Sequence, residues 1–299
     1  MNTDPVTQVG IIGAGELGQA LGHVLEKTGL QVLYYDRDDA RTTTASIADV
    51  AMTCSVLLLC VPARATREVA KGIAKHTDPH NPPLVLSLSK GVEKDFVTMD
   101  RVLHDTLPSG TPYGLLYGPM LASELVAHQM GSGVLALSES GYVPLVRDLF
   151  VKARIYLELS DDMHAVAVAG VLKNIYAMAF GMNDGLRLGA NARGRVGVQA
   201  LREMQRMLRA MGGNPEVAEG LAGLGDLIAT GTGESSFNYR VGRSIAERFA
   251  DTNVQSEGLS ALEHISHVVD LREYPLAQTL NKIVYHYADP RDLQQLLET

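Results

Sequence analysis

Up to about residue 160 the chain alternates short apolar runs with longer stretches of helical spacing. The runs are VGIIG from Val9, QVLYYD from Gln31, SVLLLCV from Ser55 and LVLSLS from Leu84, followed by GVLALSES and IYLELS. Runs this continuously apolar belong to strands covered on both faces, and the intervening helical patterns supply the covers. The arrangement predicts an α/β fold with a doubly wound, mainly parallel sheet. After the first run, Leu17, Ala20, Leu21, Val24 and Leu25 recur at i, i+3, i+4, i+7 and i+8, and Gly29 follows as a stop signal. That segment is expected to be a helix with one face packed on the sheet. From Asp161 onward no convincing strand run appears, and the segments carry helical spacing, glycine punctuation and prolines such as Pro215 and Pro275. The second half is expected to be all-α, with a domain boundary near residue 160, dividing 1–160 from 161–299.

Length and charge narrow the class of partner. At 299 residues the chain has room for two domains of ordinary size, each with its own core. Lys plus Arg number 26 against 34 Asp plus Glu, a net charge of −8 with no basic cluster, which argues against an electrostatic grip on nucleic acid or anionic lipid and for a small-molecule partner. Cys54 and Cys60 form no CxxC pair, so neither a disulfide framework nor a structural zinc site is expected, and the histidines, including His104, His128 and His164, lack metal-ligand spacing. No metal is assigned. A reducing cytoplasm is the expected location, because the polar start leads directly into structural sequence with no basic n-region and apolar h-region. The weakly polar stretch Ala165 to Met182 is interrupted at its middle by Lys173 and Asn174, which predicts a buried core helix rather than a membrane span.

Gly13, Gly15 and Gly18 form a GxGxxG motif between the first strand and the first helix, and Asp36 closes the next strand. Glycines there permit a tight turn and close approach of a pyrophosphate to backbone N–H groups at the helix start, while Asp36 is placed to accept ribose hydroxyls. A dinucleotide is therefore expected, with S-adenosylmethionine as the rival ligand. Asp36 disfavours a 2′-phosphate and Arg37 beside it attracts one, so NAD and NADP both stay open, with the balance toward NAD. Lys90 follows LVLSLS, at the carboxyl end of a strand, where doubly wound folds bind ligands. Lys173 is the one formal charge between His164 and Asp184. An ammonium among Ala, Val, Leu, Ile and Met is costly to bury unless used, and desolvation brings it toward acid/base duty at neutral pH. The bland alternatives are a solvated loop lysine for Lys90 and a snorkelling one for Lys173. Asn174 beside it offers two donors and an acceptor. A glycine-rich stretch, residues 220–242, adds Asp226, Thr230, Ser236 and Asn238, either converging on a ligand or serving as caps and loop.

Taken in order, these motifs resemble the NAD(P)-dependent glycerol-3-phosphate dehydrogenases of the bacterial type. GAGELGQAL is similar to the family's cofactor turn, SLSKGVE to its strand-end lysine, YGPMLASE to its Gly-Pro-Ser-x-Ala-x-Glu segment, GVLKN and GLRLGAN to its catalytic helix and following turn, and GLAGLGDLIATGTG matches best. The resemblance implies an N-terminal Rossmann domain, a C-terminal helical substrate domain, and reversible hydride transfer between sn-glycerol 3-phosphate and dihydroxyacetone phosphate. It implies Lys173 as general acid/base, with Lys90 and Asp226 orienting and polarising the site. Asn174, Thr230, Ser236 and Asn238 would hold the substrate's polar groups, together with Lys90, Lys173 and Asp226, and Gly118 and Met120 would meet the substrate. Gly13, Ala14, Gly15, Glu16, Leu17, Gly18, Asp36, Arg37, Lys90, Ala122 and Glu257 would line the cofactor. A homodimer is expected. The departures fall on groups expected to handle phosphate. Phe237 stands where the family's Ser-Arg-Asn motif has arginine, Gln199 stands at another family arginine, Met120 replaces a serine, and the segment from Asp38 to Ser55 is short. Arg193, Arg195 and Arg240 lie nearby in sequence as substitutes. A different small hydroxy or oxo substrate, or a non-catalytic NAD(P)-binding protein, are the alternatives these changes raise.

Overall fold

The computed structural model describes residues 7–44, 46–231, 233, 236–248 and 255–298. The polar leader, residues 1–6, lies outside them, as do residues 232, 234 and 235 of the glycine-rich stretch. The chain divides into two compact units. One is built from residues up to Ser89 and from Met99–Met163, the other from Lys90–Thr98 and from His164 onward. The division after Met163 falls beside the end of the last apolar run, while Lys90–Thr98 joins the helical unit although the sequence pattern groups it with the strands around it.

The first unit alternates strand and helix: β1 (Gln8–Ile12), α1 (Glu16–Glu26), β2 (Gln31–Tyr35), α2 (Ile47–Thr53), β3 (Val56–Leu59), α3 (Ala63–His76) and β4 (Leu84–Ser87). The short strands β5 (Val92–Glu93) and β6 (Val97–Thr98) pair antiparallel and belong to the other unit. The first unit resumes with α4 (Met99–Thr106), β7 (Tyr113–Tyr117), α5 (Ala122–Val126), β8 (Gly131–Leu137), α6 (Val143–Lys152) and β9 (Ile155–Leu159). Its sheet runs in the order β2-β1-β3-β4-β7-β8-β9, with β7 and β8 antiparallel and every other neighbour pair parallel. Val56, Leu57, Leu58 and Leu59 are fully buried, as strands covered on both faces require. Strand β7 escaped the sequence reading because Gly114 interrupts its apolar run. The same glycine is what the pairing needs, since a Cβ there would overlap the carbonyl oxygen of Ala136 on β8.

The second unit is helical: α7 (Met163–Gly185), α8 (Gly189–Ala210), α9 (Asp226–Gly231), α10 (Phe237–Ala246), α11 (Glu257–His264), α12 (Pro275–Tyr285) and α13 (Asp292–Glu298). Helix α7 is apolar on all sides and buried from Ala165 through Asn183, the mark of a core helix wrapped by others. By length and composition it could cross a bilayer, but its apolar window is wholly covered by protein. Polar groups hold the surrounding helices in register. The fully buried carboxylate of Glu203 on α8 accepts from the backbone N–H groups of Leu276 (2.7 Å) and Ala277 (3.0 Å) in the first turn of α12, from Tyr176 Oη on α7 (2.9 Å) and from Gln199 Nε2 (3.0 Å). A helix N-terminus is a favourable place for a buried anion, because unpaired N–H groups and the macrodipole both face it.

Candidate active site

In the first unit the three glycines of the fingerprint have three different surroundings. Gly13 follows β1 with φ +98°, and a Cβ on it would come within 2.7 Å of the Cys60 backbone. A Cβ on Gly18 would overlap the carbonyl of Gly13, whereas one on Gly15 would meet nothing within 4 Å. The first glycine thus makes the turn, the third lets α1 pack closely, and the second leaves open space at the first turn of α1, the approach a pyrophosphate requires. Asp36, just beyond β2, is bound into this loop: its Oδ2 accepts from Ala14 N at 2.7 Å and its Oδ1 from Asp38 N at 3.0 Å. Each oxygen has a further lone pair for a hydroxyl donor. Arg37 points outward and pairs with Glu68 at 2.7 Å. These features fit a dinucleotide.

The other expected residues of this unit are placed unequally. Glu16 is exposed in the first turn of α1, and Leu17 and Ala122 are partly buried against the sheet's core. Gly118 follows β7 where a Cβ would meet Gly133 Cα at 2.5 Å, so the residue is required by packing. Met120 is buried in the hydrophobic core with Leu125 and Leu135. The side chain that stands for the family's serine therefore fills space among apolar neighbours.

In the second unit, three charged side chains from three separate segments meet at one atom. Lys90 Nζ lies 2.6 Å and Lys173 Nζ 3.2 Å from the same oxygen, Oδ2 of Asp226. Lys90 comes from the start of the β5–β6 segment and Lys173 from the middle of α7. Asp226 opens α9 directly after a π-helical turn, Leu221–Gly225, of the kind often found at functional sites. The turn needs its glycine, because a Cβ on Gly223 would overlap the carbonyl of Ala218. Lys173 is 5% and Asp226 2% exposed, so the pair sits out of water and the interaction is little screened.

The electrostatics follow from burial and from a two-to-one charge ratio. Burial pushes the Lys173 ammonium down from 10.5 to about 8; Asp226 opposes the shift and Lys90 adds to it. Burial alone would raise the Asp226 carboxyl, but the two ammoniums beside it reverse the sign and hold it below the usual carboxylate range. The result is a lysine that can both give and take a proton near neutrality, next to a carboxylate that stays ionised.

The remaining polar residues form the frame of this cluster. Thr230 Oγ1 donates back to the Asp226 carbonyl at 2.6 Å and lies 3.5 Å from Lys173 Nζ. Asn174 donates to the Lys90 carbonyl at 2.7 Å and accepts from Asn238 Nδ2 at 3.0 Å, and Asn238 Oδ1 accepts from Gly258 N at 3.0 Å. Ser236 caps α10 by accepting from Tyr239 N, and Glu257 begins α11 beside Gly258. Sequence reasoning had no hold on Gly258, whose importance arises from what approaches it. Of the two arginine replacements, Gln199 is spent on the buried Glu203 and takes no part in the lysine cluster. Phe237 lies at the first turn of α10 with the Arg240 guanidinium 5.5 Å from its ring centroid. Arg193 is held by Asp184 at 2.6 Å, and Arg195 is exposed on α8.

Comparison with known proteins bears on the family and the fold. Residues 42–142 and 162–295 match the family models described as NAD-dependent glycerol-3-phosphate dehydrogenase N-terminus and C-terminus, and residues 5–73 match D-isomer specific 2-hydroxyacid dehydrogenase, NAD binding domain. The glycerol-3-phosphate dehydrogenase (NAD(P)+) of Mycobacterium avium is 34% identical over 259 residues, covering 83% of this chain and 74% of that protein. The protein of the same description from Teredinibacter turnerae is 29% identical over 315 residues, covering 94% and 92%. The crystal structure of glycerol-3-phosphate dehydrogenase from Coxiella burnetii superimposes with a TM-score of 0.89 at 27% identity, covering 98% of this chain and 99% of that one. A PanE/ApbA family ketopantoate reductase from Ralstonia eutropha shares the fold alone, with a TM-score of 0.61 at 18% identity over 98% of this chain and 100% of that one.

Proposed function

The chain belongs to the NAD-dependent glycerol-3-phosphate dehydrogenase family, and on that premise we propose that it interconverts sn-glycerol 3-phosphate and dihydroxyacetone phosphate with Lys173 as the proton-transferring group. The observation that carries this reading is the buried Lys173, brought to about 8 and sharing Asp226 Oδ2 with Lys90. A nicotinamide cofactor, when bound, supplies the hydride acceptor for oxidation and the donor for reduction. Gly13, Ala14, Gly15 and Gly18 would hold its pyrophosphate and Asp36 its ribose hydroxyls. The engaged Asp36 carboxylate, beside an Arg37 that already has Glu68, favours NAD over NADP.

The chain's own part is proton handling. In oxidation, neutral Lys173 Nζ takes the proton of the substrate's C2 hydroxyl; in reduction, the ammonium returns it to the carbonyl oxygen. Asp226 stays ionised, orients Lys173 and offsets the charge the lysine gains. Lys90 keeps a second cation beside Asp226, so the cluster carries a net positive charge whenever Lys173 holds the proton, next to an oxygen with negative character in the transition state.

We further read the protein as a cytoplasmic homodimer. Cys54 and Cys60 are free thiols, which suits a reducing compartment. Sedimentation of the purified chain tests the dimer.

The test of function is the oxidation of NADH and NADPH with dihydroxyacetone phosphate, beside dihydroxyacetone and a small panel of 2-oxo acids. Turnover of dihydroxyacetone phosphate is expected, and Lys173→Ala is expected to abolish it while leaving cofactor affinity intact. No turnover with either reduced cofactor would overturn the substrate assignment. Undiminished turnover in Lys173→Ala would overturn the proton-transfer role.

A further inference from the structure

The sequence scatters its cations, but the fold of the first unit gathers four basic side chains around one cavity. The cavity, of about 280 Å³, lies where α1, α5 and α6 end, and Lys27, His128, Lys152 and Arg154 line it beside the buried apolar side chains of Val24, Leu125 and Ala153. Among the described residues no Asp or Glu lines it. Lys27 and Arg154 make no ion pair among the described residues, and the Lys27 ammonium donates to Nε2 of His128, a neutral acceptor. The His23 ring backs His128, with 5.8 Å between ring centroids. Lys152 has Asp148 at 2.7 Å, but both side chains are more than half exposed, and water screens such a pair. In a chain of net charge −8, basic groups gathered without carboxylates make a local field that attracts an anion.

Two of the four are held there against backbone preference. Helix α5 closes with His128 N bonded to the Leu125 carbonyl and Gln129 N to the Glu124 carbonyl, and α6 closes with Arg154 N bonded to the Val151 carbonyl. Bonds of this pattern end a helix whose next residue turns left-handed, a place where glycine is usual because a Cβ is strained there. The chain has His128 and Arg154 instead, both at φ +60°, and both line the same cavity. Strained backbone of this kind is found at sites that clamp ligands. Offsetting the negative ends of the helices would explain Lys27 at the end of α1 and Lys152 in the last turn of α6, but it does not call for a side chain in the left-handed position.

We propose that this cavity is a second ligand site, one that takes a small polyvalent anion, a phosphate ester or a polycarboxylate. It is separate from the glycine fingerprint, because α1 starts at Glu16 beside Gly15 and its 11 residues put about 16 Å between the two ends. The cavity is smaller than the pockets that hold drug-sized ligands, so it fits a compact anion and not a dinucleotide. Lys27 and Lys152 meet the anion as point charges, and Arg154 meets it through its forked N–H groups.

The experiment is calorimetric titration of the purified chain with citrate and, in a separate arm, with inorganic pyrophosphate, repeated on Lys27→Ala, His128→Gly and Arg154→Gly. Saturable binding of at least one anion is expected in wild type, and the tighter of the two tells a polycarboxylate site from a phosphate site. Each substitution is expected to weaken that binding by about tenfold or more, the loss of one charge-assisted hydrogen bond, while NADH affinity stays within about twofold. Without anion, the two glycine variants are expected to unfold at the wild-type temperature or above it, because glycine suits φ +60°. Undiminished folding together with lost anion binding is a combination that a merely structural role does not give. Equal binding by wild type and all three variants would place the anion elsewhere and overturn the proposal, as would the lack of saturable binding of either anion. A lowered unfolding temperature in both glycine variants would make His128 and Arg154 structural and overturn it too.

Discussion

Lys173 Nζ stands 3.2 Å from Asp226 Oδ2, inside protein where neither side chain is more than 6% exposed. An isolated buried ion pair would hold both partners firmly charged. Here burial itself lowers the Lys173 pKa to about 8 against the pull of Asp226, and Lys90, on the same carboxylate oxygen, adds to the lowering.

The two directions of the reaction are therefore expected to have opposite pH dependence. Oxidation of glycerol 3-phosphate needs the neutral amine and rises through an apparent pKa of about 8; reduction needs the ammonium and falls through the same value. Initial rates in both directions from pH 6 to 10 check this, and parallel profiles would remove Lys173 from the proton-transfer step.

The same shift has a consequence for stability. The folded-state pKa of Lys173 is depressed from 10.5 to about 8, so within that window the unfolded chain binds a proton that the folded chain does not. Wild-type stability relative to Lys173→Met is expected to climb across the window, by up to about 3 kcal/mol. Urea unfolding of both proteins at pH 7.5 and 10 measures it.

Replacing Asp226 by Asn leaves two ammoniums facing each other around a neutral amide. The Lys173 pKa is expected to fall further, moving both pH limbs to lower values, and turnover is expected to drop by roughly 100-fold or more as an oriented charge is lost. pH-rate profiles of Asp226→Asn against wild type test both parts.

Phe237 presents a ring, with the Arg240 guanidinium 5.5 Å from its centroid, at the position where the sequence resemblance implies an arginine. Phe237→Arg is expected to lower KM for dihydroxyacetone phosphate by about tenfold and leave dihydroxyacetone unaffected, since a charge-assisted hydrogen bond contributes about 1.5 to 3 kcal/mol. Steady-state kinetics with both compounds checks this; an equal change for both would place the residue away from the phosphate.

Glu203 illustrates how much one buried carboxylate organises. Truncation to Ala leaves the N–H groups of Leu276 and Ala277 and the hydroxyl of Tyr176 without their acceptor. A loss of about 3 to 5 kcal/mol is expected on denaturant unfolding, with a smaller loss for Glu203→Gln.

Much of the architecture was legible in order along the chain because its causes are local. Short continuous apolar runs such as Val56 to Leu59, set between helical patterns, fit strands covered on both faces, and the glycine fingerprint after β1 makes a turn that a side chain on Gly13 would obstruct. The isolated charge of Lys173 in an apolar helix announced a buried ammonium, because burying one without a use is costly. Residues whose meaning depends on distant partners were not legible. Gly114 hid a strand, since the carbonyl that forbids a side chain there comes from a strand over twenty residues later, Ala136. Only the fold shows Gln199 donating to Glu203 and the Asn174 amide donating to the backbone carbonyls of Lys90 and Gly170. Sequence determines which groups are available, through propensity, periodicity and the cost of burying charge. Only the tertiary structure decided that Lys90, Lys173 and Asp226 share one oxygen, because hydrogen bonds and ion pairs act over about 3 Å and cannot be assigned until segments far apart in the chain are packed together.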